Sequence, residues 1–212
     1  MQSSLSKKER SPSAKRRDAQ TERSADTINK LLEATIDLLY KYGYSKFRIA
    51  DVIKNSKVSR GGRLHHFATK KDLVESAIEQ LFVDEISQQT KAANTSSTDV
   101  IRHAAQAISD FHSSRLYRVI INMLISTGRL EQLTDGVRDI SIRSRNQIDK
   151  GWINSVVQLG FTTQESEEIL GLLWSVQRGI FIENLTGSNP CNDQSHELEF
   201  VISLLNEHLK VP

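Results

Sequence analysis

Apolar residues at Ile28, Leu31, Leu32, Leu38, Leu39 and Tyr42, with Thr35 in the step between them, recur at three- and four-residue intervals. That period puts them on one face of a helix. It predicts a first element from a cap near Ser24 to a stop at Gly43, where a glycine accepts the left-handed turn. Arg48–Asn55 then puts Ile49, Val52 and Ile53 on one face of a short helix, and 55–57 is a turn. Ser59 is placed to cap a third helix reaching Phe67. Thr69, with Asp72 three residues on, is placed to cap a fourth that runs to Ala93. Five further helical patterns follow. Asp99–Ser113 carries Val100, Ala104, Ala107, Ile108 and Phe111, and Arg115–Thr127 carries Leu116, Val119, Ile120, Met123 and Leu124. Asp135–Leu159 repeats Val137, Ile140, Ser144, Ile148, Trp152, Ser155 and Leu159, and Ser195–Lys210 has a stripe at Leu198, Val201, Leu205 and Leu209. Thr163–Thr186 differs from these: it is apolar on two sides, with Ile169, Leu173, Val176 and Ile180 on one and Leu170, Trp174, Phe181 and Leu185 on the other.

No strand or internal repeat competes with these periods, so an all-α fold of about nine helices is expected. Residues 1–23 are polar and read as a flexible basic arm, 24–75 as a three-helix unit, and 76–212 as a second helical domain.

Charge sharpens the division. Residues 1–75 hold 17 Lys and Arg against 9 Asp and Glu, whereas residues 76–212 hold 11 against 17, although the whole chain is only +2. A basic end on a mildly acidic body points to a polyanion partner at that end. Cys191 is the single cysteine, which excludes an intrachain disulfide and a cysteine-built zinc site. The stretches Val119–Ile125 and Ile169–Leu185 do not suit a bilayer. The first is too short, and Arg178 and Glu183 interrupt the second. With no apolar signal at the N-terminus, a cytoplasmic protein that does not enter membranes is expected.

The segment Ser59–Phe67, Ser-Arg-Gly-Gly-Arg-Leu-His-His-Phe, suits a recognition helix. Each of its glycines costs about 1 kcal/mol against alanine, a cost a helix accepts when its backbone must approach another surface. Arg60 and Arg63 have the fork that reads guanine edges, and His65 and His66 can donate to phosphates. The same residues also fit a glycine-weakened turn on the surface of any helical protein.

The longer run Val58-Ser-Arg-Gly-Gly-Arg-Leu-His-His-Phe-Ala-Thr-Lys-Lys-Asp-Leu73 resembles the recognition segment of the TetR family of bacterial regulators. The helix from Ile28 to Gly43-Tyr44, and Val52-Ile53 with Val58-Ser59, are similar to the family's first two helices and turn. The resemblance covers about residues 24–75. It implies a helix-turn-helix that binds double-stranded DNA as a homodimer, usually as a repressor on a palindromic operator. It further implies base contacts from Arg60, Gly62 and Leu64 and phosphate contacts from Ser59, His66 and Lys70. Arg48, Gly61 and His65 join the candidate DNA surface. Arg63 is assigned there too, because burying its charge without a partner is costly. Three positions depart from the family's commonest pattern: Lys57 for a glycine, Arg63 for an aliphatic residue and Leu64 for a tyrosine.

For the body, the resemblance implies a dimer built from the last two helices and a ligand pocket among the others. Ile169, Leu173, Val176 and Ile180 with Leu198, Val201 and Leu205 are the expected interface. Phe111, Met123, Trp152, Trp174 and Arg178 are the expected pocket, with Arg178 selecting an anionic group on a small apolar effector. Plain core packing is the competing reading of those aromatics. No cofactor, metal or catalytic group is expected, since neither His103 with His112 nor His196 with His208 has the spacing of paired ligands on one helix face. A DNA-binding architectural or protein-responsive factor on the same fold, without a small ligand, stays open as the alternative. So does a helical enzyme or interaction protein with an incidental helix-turn-helix pattern.

Overall fold

The structure is a computed structural model that describes residues 12–94, 99–126, 133–187 and 195–209. Among those residues there are nine helices and no strand. They are α1 (Pro12–Lys46), α2 (Ile49–Ser56), α3 (Arg60–His66), α4 (Lys70–Ala93), α5 (Val100–Ser113), α6 (Arg115–Ser126), α7 (Leu133–Val157), α8 (Thr163–Thr186) and α9 (Ser195–Leu209). Residues 1–11 and Cys191 lie outside the description.

α1 begins at Pro12 and not near Ser24, so residues 12–23 are helical where a flexible arm was expected. Most of these residues are good helix formers. Extending an existing helix fixes few new dihedrals for each hydrogen bond gained, whereas starting one is costly. The predicted stripe is buried at Leu31, Leu32, Leu38 and Leu39, and Thr35 fills its step by donating its hydroxyl to the Leu31 carbonyl at 2.7 Å. Tyr42, the last residue before the kink at Gly43 (φ 68°), departs from it and is exposed.

α4 ties the two halves together. It packs on α1, α7 and α5, with α7 beside it from Glu75, which meets Gly136, to Ala93, which meets Gly151. Leu73, Val74, Ala77, Ile78 and Phe82 form an apolar buried face that turns polar at Glu85 and Gln89. Gln89 donates from Nε2 to Glu85 at 2.9 Å and to the Ala107 carbonyl at 2.8 Å, and its Oε1 accepts from Trp152 Nε1 at 2.9 Å. One amide thus joins α4, α5 and α7, and burial pushes the Glu85 carboxyl up from its ordinary pKa. α5 packs against α8, α7 against α8, and α9 closes one edge on α5 and α8 with Ile202 buried.

Candidate nucleic-acid interface and ligand cavity

Helices of 8 and 7 residues cannot persist alone in water, so α2 and α3 depend on their ends. The Ser59 hydroxyl accepts the Gly62 N–H at 3.1 Å and caps α3. The Thr69 hydroxyl and the Asp72 carboxylate close a reciprocal capping box at 3.0 and 2.9 Å, starting α4 directly after α3. Between α2 and α3, Lys57 adopts φ 58° and ψ 19°, the one non-glycine residue with positive φ among those described. The tight turn that glycine usually makes is therefore made here by a lysine, at a cost of about 1 kcal/mol.

These ends fix which side of α3 faces outward. Arg60, Gly61, Leu64 and His65 are exposed, and their spacing puts them on one face. Leu64 is half exposed, an unusual position for leucine unless it meets another surface. The two glycines separate. A Cβ on Gly61 would meet nothing within 4 Å, so the protein's own packing does not call for a glycine there. A Cβ on Gly62 would meet Val58 Cγ1 at 3.1 Å and the Ser59 hydroxyl at 3.3 Å, so the cap itself accounts for Gly62. His66 is half-buried, its ring centre 4.9 Å from that of His65 and the two rings steeply inclined.

Arg63 is a correction to the expected DNA surface. It is buried, and its Nη1 donates to the carbonyls of Phe67 at 2.8 Å and Ala68 at 3.1 Å. The argument from charge failed because those carbonyls, left free by the end of α3, accept from Nη1 within the protein, although Nε is buried without a partner among the described residues. Lys70 does comparable work. Its Nζ donates to the Phe47 carbonyl at 2.9 Å and the Tyr44 carbonyl at 3.5 Å, and lies 4.0 Å from the centre of the Tyr44 ring. Burial lowers its pKa.

The end of α1 and α2 enclose a groove of about 520 Å³. Tyr42, Ser45, Lys46, Arg48 and Lys54 line it, with Asp51 the one acid among the lining residues. Of these only Arg48 had been singled out. The signal for the others was the cluster of basic residues from Lys41 to Lys57, which has no helical period because it spans a helix end, a linker and a second helix.

In the body, a partly open cavity of about 290 Å³ lies among α4, α5, α6 and α7. Phe82, Phe111, Ile120, Ile142 and Ile148 form its apolar wall, and Tyr117, Ser141, Arg145 and Asn146 supply the polar groups. Of the five expected pocket residues, only Phe111 lines this cavity. Trp152 is sealed in the core by its bond to Gln89, and Met123 is buried. Trp174 is buried too, donating from Nε1 to Asp149 at 3.1 Å, with the Arg145 guanidinium 3.5 Å from its ring centre. Arg178 stands outside the wall, with its charge near the Tyr117 phenol. Sequence reasoning missed Arg145, which shares a helix with Arg138 and Arg143 and carries no mark of its own.

The expected interface is also redistributed. Leu173 is fully buried and Ile169 nearly so, because that side of α8 packs on its own protomer; Val176 and Ile180 are half-buried. Leu198, Val201 and Leu205 lean on the core. The exposed apolar groups are Leu172, Ile182 and Leu185 on α8 and Phe200 and Leu204 on α9. No described helix is long and apolar enough to cross a membrane, and no group of three metal-binding side chains gathers among the described residues.

Comparison with known proteins bears on this geometry. Residues 31–77, from the buried part of α1 into α4, match the family model for bacterial regulatory proteins of the tetR family. The chain is 31% identical over 172 residues to the HTH-type transcriptional regulator CymR of Pseudomonas putida, spanning 80% of this chain and 85% of that one. In fold it resembles a transcriptional regulator from Rhodococcus sp. Rha1, with TM-score 0.67, 20% identity, and 87% and 99% of the two chains covered. It also resembles a regulator from Saccharomonospora viridis solved in complex with choline, with TM-score 0.62, 20% identity, and 88% and 97% covered.

Proposed function

The chain belongs to the TetR family of bacterial transcriptional regulators, and on that premise we propose that it is a repressor that binds a palindromic operator as a homodimer and is released by a small molecule. The outward face of α3 carries the reading. Arg60 and Leu64 are exposed, Gly61 is open, and the same three-helix unit carries a basic groove with Lys46, Arg48 and Lys54. In this arrangement α3 enters the major groove. Arg60 reads a guanine edge, Leu64 meets a thymine methyl, Ser59 and His65 stand beside the backbone, and the groove residues hold phosphates.

The dimer is supported by the face of α8 at Leu172, Ser175, Gly179, Ile182 and Thr186, spaced by three and four residues. Leu172 and Ile182 are apolar and exposed, and nothing lies within 4 Å of a Cβ on Gly179, so a second helix can approach closely. Phe200, with 64% of its surface exposed, and Leu204 extend this face onto α9. Two copies joined here present their α3 helices as a pair, which must match about one turn of DNA, roughly 34–36 Å. The cavity beside α4 favours a ligand-responsive protein over an architectural one. A ligand against Phe82 bears on the helix whose first turn follows α3.

Sedimentation should give a species of twice the 24.0 kDa chain mass. In binding titrations with DNA from upstream of its own gene, Arg60→Ala should cost about 1–3 kcal/mol and relax preference at one base position per half-site. Lys46→Ala should weaken specific and random DNA alike and flatten the salt dependence. Equal loss of selectivity in both variants, or a monomer at micromolar concentration, would count against the proposal.

A further inference from the structure

We propose that the body cavity binds a small apolar carboxylate, held by the Nη groups of Arg145 and the hydroxyl of Tyr117. This rests on the reading of the cavity as an effector site and names the chemistry it selects.

Arg145 is half-buried at the cavity wall. Its Nε–H is shared between the two oxygens of Asp149 at 2.9 and 2.7 Å, and its plane covers the ring of Trp174. Asp149 in turn accepts from Trp174 Nε1, so the guanidinium is fixed from two directions. The same arrangement leaves both Nη groups without a protein acceptor among the described residues. Neither is sealed from solvent, for Arg145 contributes no atom to the buried, unpartnered set. An arginine held by Nε presents Nη1 and Nη2 as a planar fork, the shape that two carboxylate oxygens match.

Tyr117 adds a second donor. Its side chain lines the cavity, whereas Arg178 lies outside the lining with its charge near the phenol. The phenol O–H can donate to a ligand carboxylate. Charge points the same way. Arg145 pairs with Asp149, Arg178 adds a second positive charge nearby, and burial keeps His112 neutral at pH 7. The surroundings of the two arginines favour an anion over a neutral ligand. Phe82, Phe111 and Ile120 leave space for an apolar body, and about 290 Å³ is at the small end of ligand pockets, enough for a single ring or a short alkyl chain.

The test uses the full chain, with benzoate, phenylacetate and hexanoate each compared with its neutral amide by calorimetry and by tryptophan fluorescence. At least one acid should bind, and its amide should bind at least about tenfold more weakly, the loss expected for a charge-assisted pair. Arg145→Lys keeps the charge but loses the fork, and should weaken the acid by a similar factor without affecting the amide. Tyr117→Phe should weaken the acid severalfold. Asn146→Trp, at an exposed wall position, should block acid and amide together while leaving the thermal transition in place. If Arg145→Lys does not fold, the acid-to-amide ratio and Asn146→Trp still decide the matter. Equal affinity for acid and amide, an acid that ignores Arg145→Lys in a folded variant, or no binding by any acid would overturn the assignment. Operator release is measured separately. Acids that bind without changing operator affinity would refute the effector reading and leave the carboxylate site standing.

Discussion

The DNA-reading head and the helical body solve the problem of burial differently. In the head, α2 and α3 have 8 and 7 residues and bury few apolar groups, and much of what holds them is polar and local. The Ser59 cap, the capping box of Thr69 and Asp72, and two cations, Arg63 and Lys70, satisfy carbonyls at the ends of α3 and α1. In the body, helices of 24 and 25 residues bury Trp152, Trp174, Leu170 and Leu173, and polar groups are admitted where a partner meets them. A surface that must face DNA cannot spend its side chains on a core, so the head is tied together through its backbone ends. The body has no such restriction and can keep a cavity among its aromatics.

The contrast is broken most severely at two adjacent residues of α8. Leu173→Glu puts a charge into a fully buried site and should cost more than about 4 kcal/mol, read as loss of the cooperative thermal transition. Leu172→Glu, at a position 45% exposed, should leave the fold intact and yield a monomer where the proposed dimer is expected, with weakened operator binding.

Acid should act on the body through His112. Burial is the main cause that holds its pKa down to about 4 from 6.5, with Arg178 and Arg145 adding to it and the Ile108 carbonyl opposing. Between those values the unfolded chain takes up a proton that the folded chain refuses. The contribution of the neutral imidazole is therefore complete above pH 6.5 and lost as pH falls toward 4, on the order of 3 kcal/mol. Urea titrations at pH 7 and 4.5 should show this loss, and His112→Leu should reduce it.

In the head, Arg63→Met removes two bonds from a charged donor and should cost about 1–3 kcal/mol of stability while base preference stays unchanged. Arg60→Ala should do the reverse. The smallest effect is a gain: Lys57→Gly relieves the left-handed turn and should raise stability by about 1 kcal/mol, measured as a higher denaturant midpoint.

Sequence alone determined what depends on near neighbours. The Ser59 and Thr69 caps, the break at Gly43, the span Thr163–Thr186 and the outward Arg60 all follow from residues within a turn or two of one another. Only the tertiary structure decided the rest. An amphipathic period says that a face is buried but not against what, so α8, apolar on two sides, did not reveal that Leu173 belongs to its own core and Leu172 to the surface. An arginine fits a DNA surface, a helix end or a cavity wall equally well. Whether Arg63 caps, and whether Arg145 or Arg178 faces the cavity, depends on which carbonyl, carboxylate or ring stands within about 3 Å. Asp149 lies on the same helix as Arg145, but Trp174, which completes the support of that guanidinium, arrives from α8, and no periodicity along the chain records where two separate helices cross.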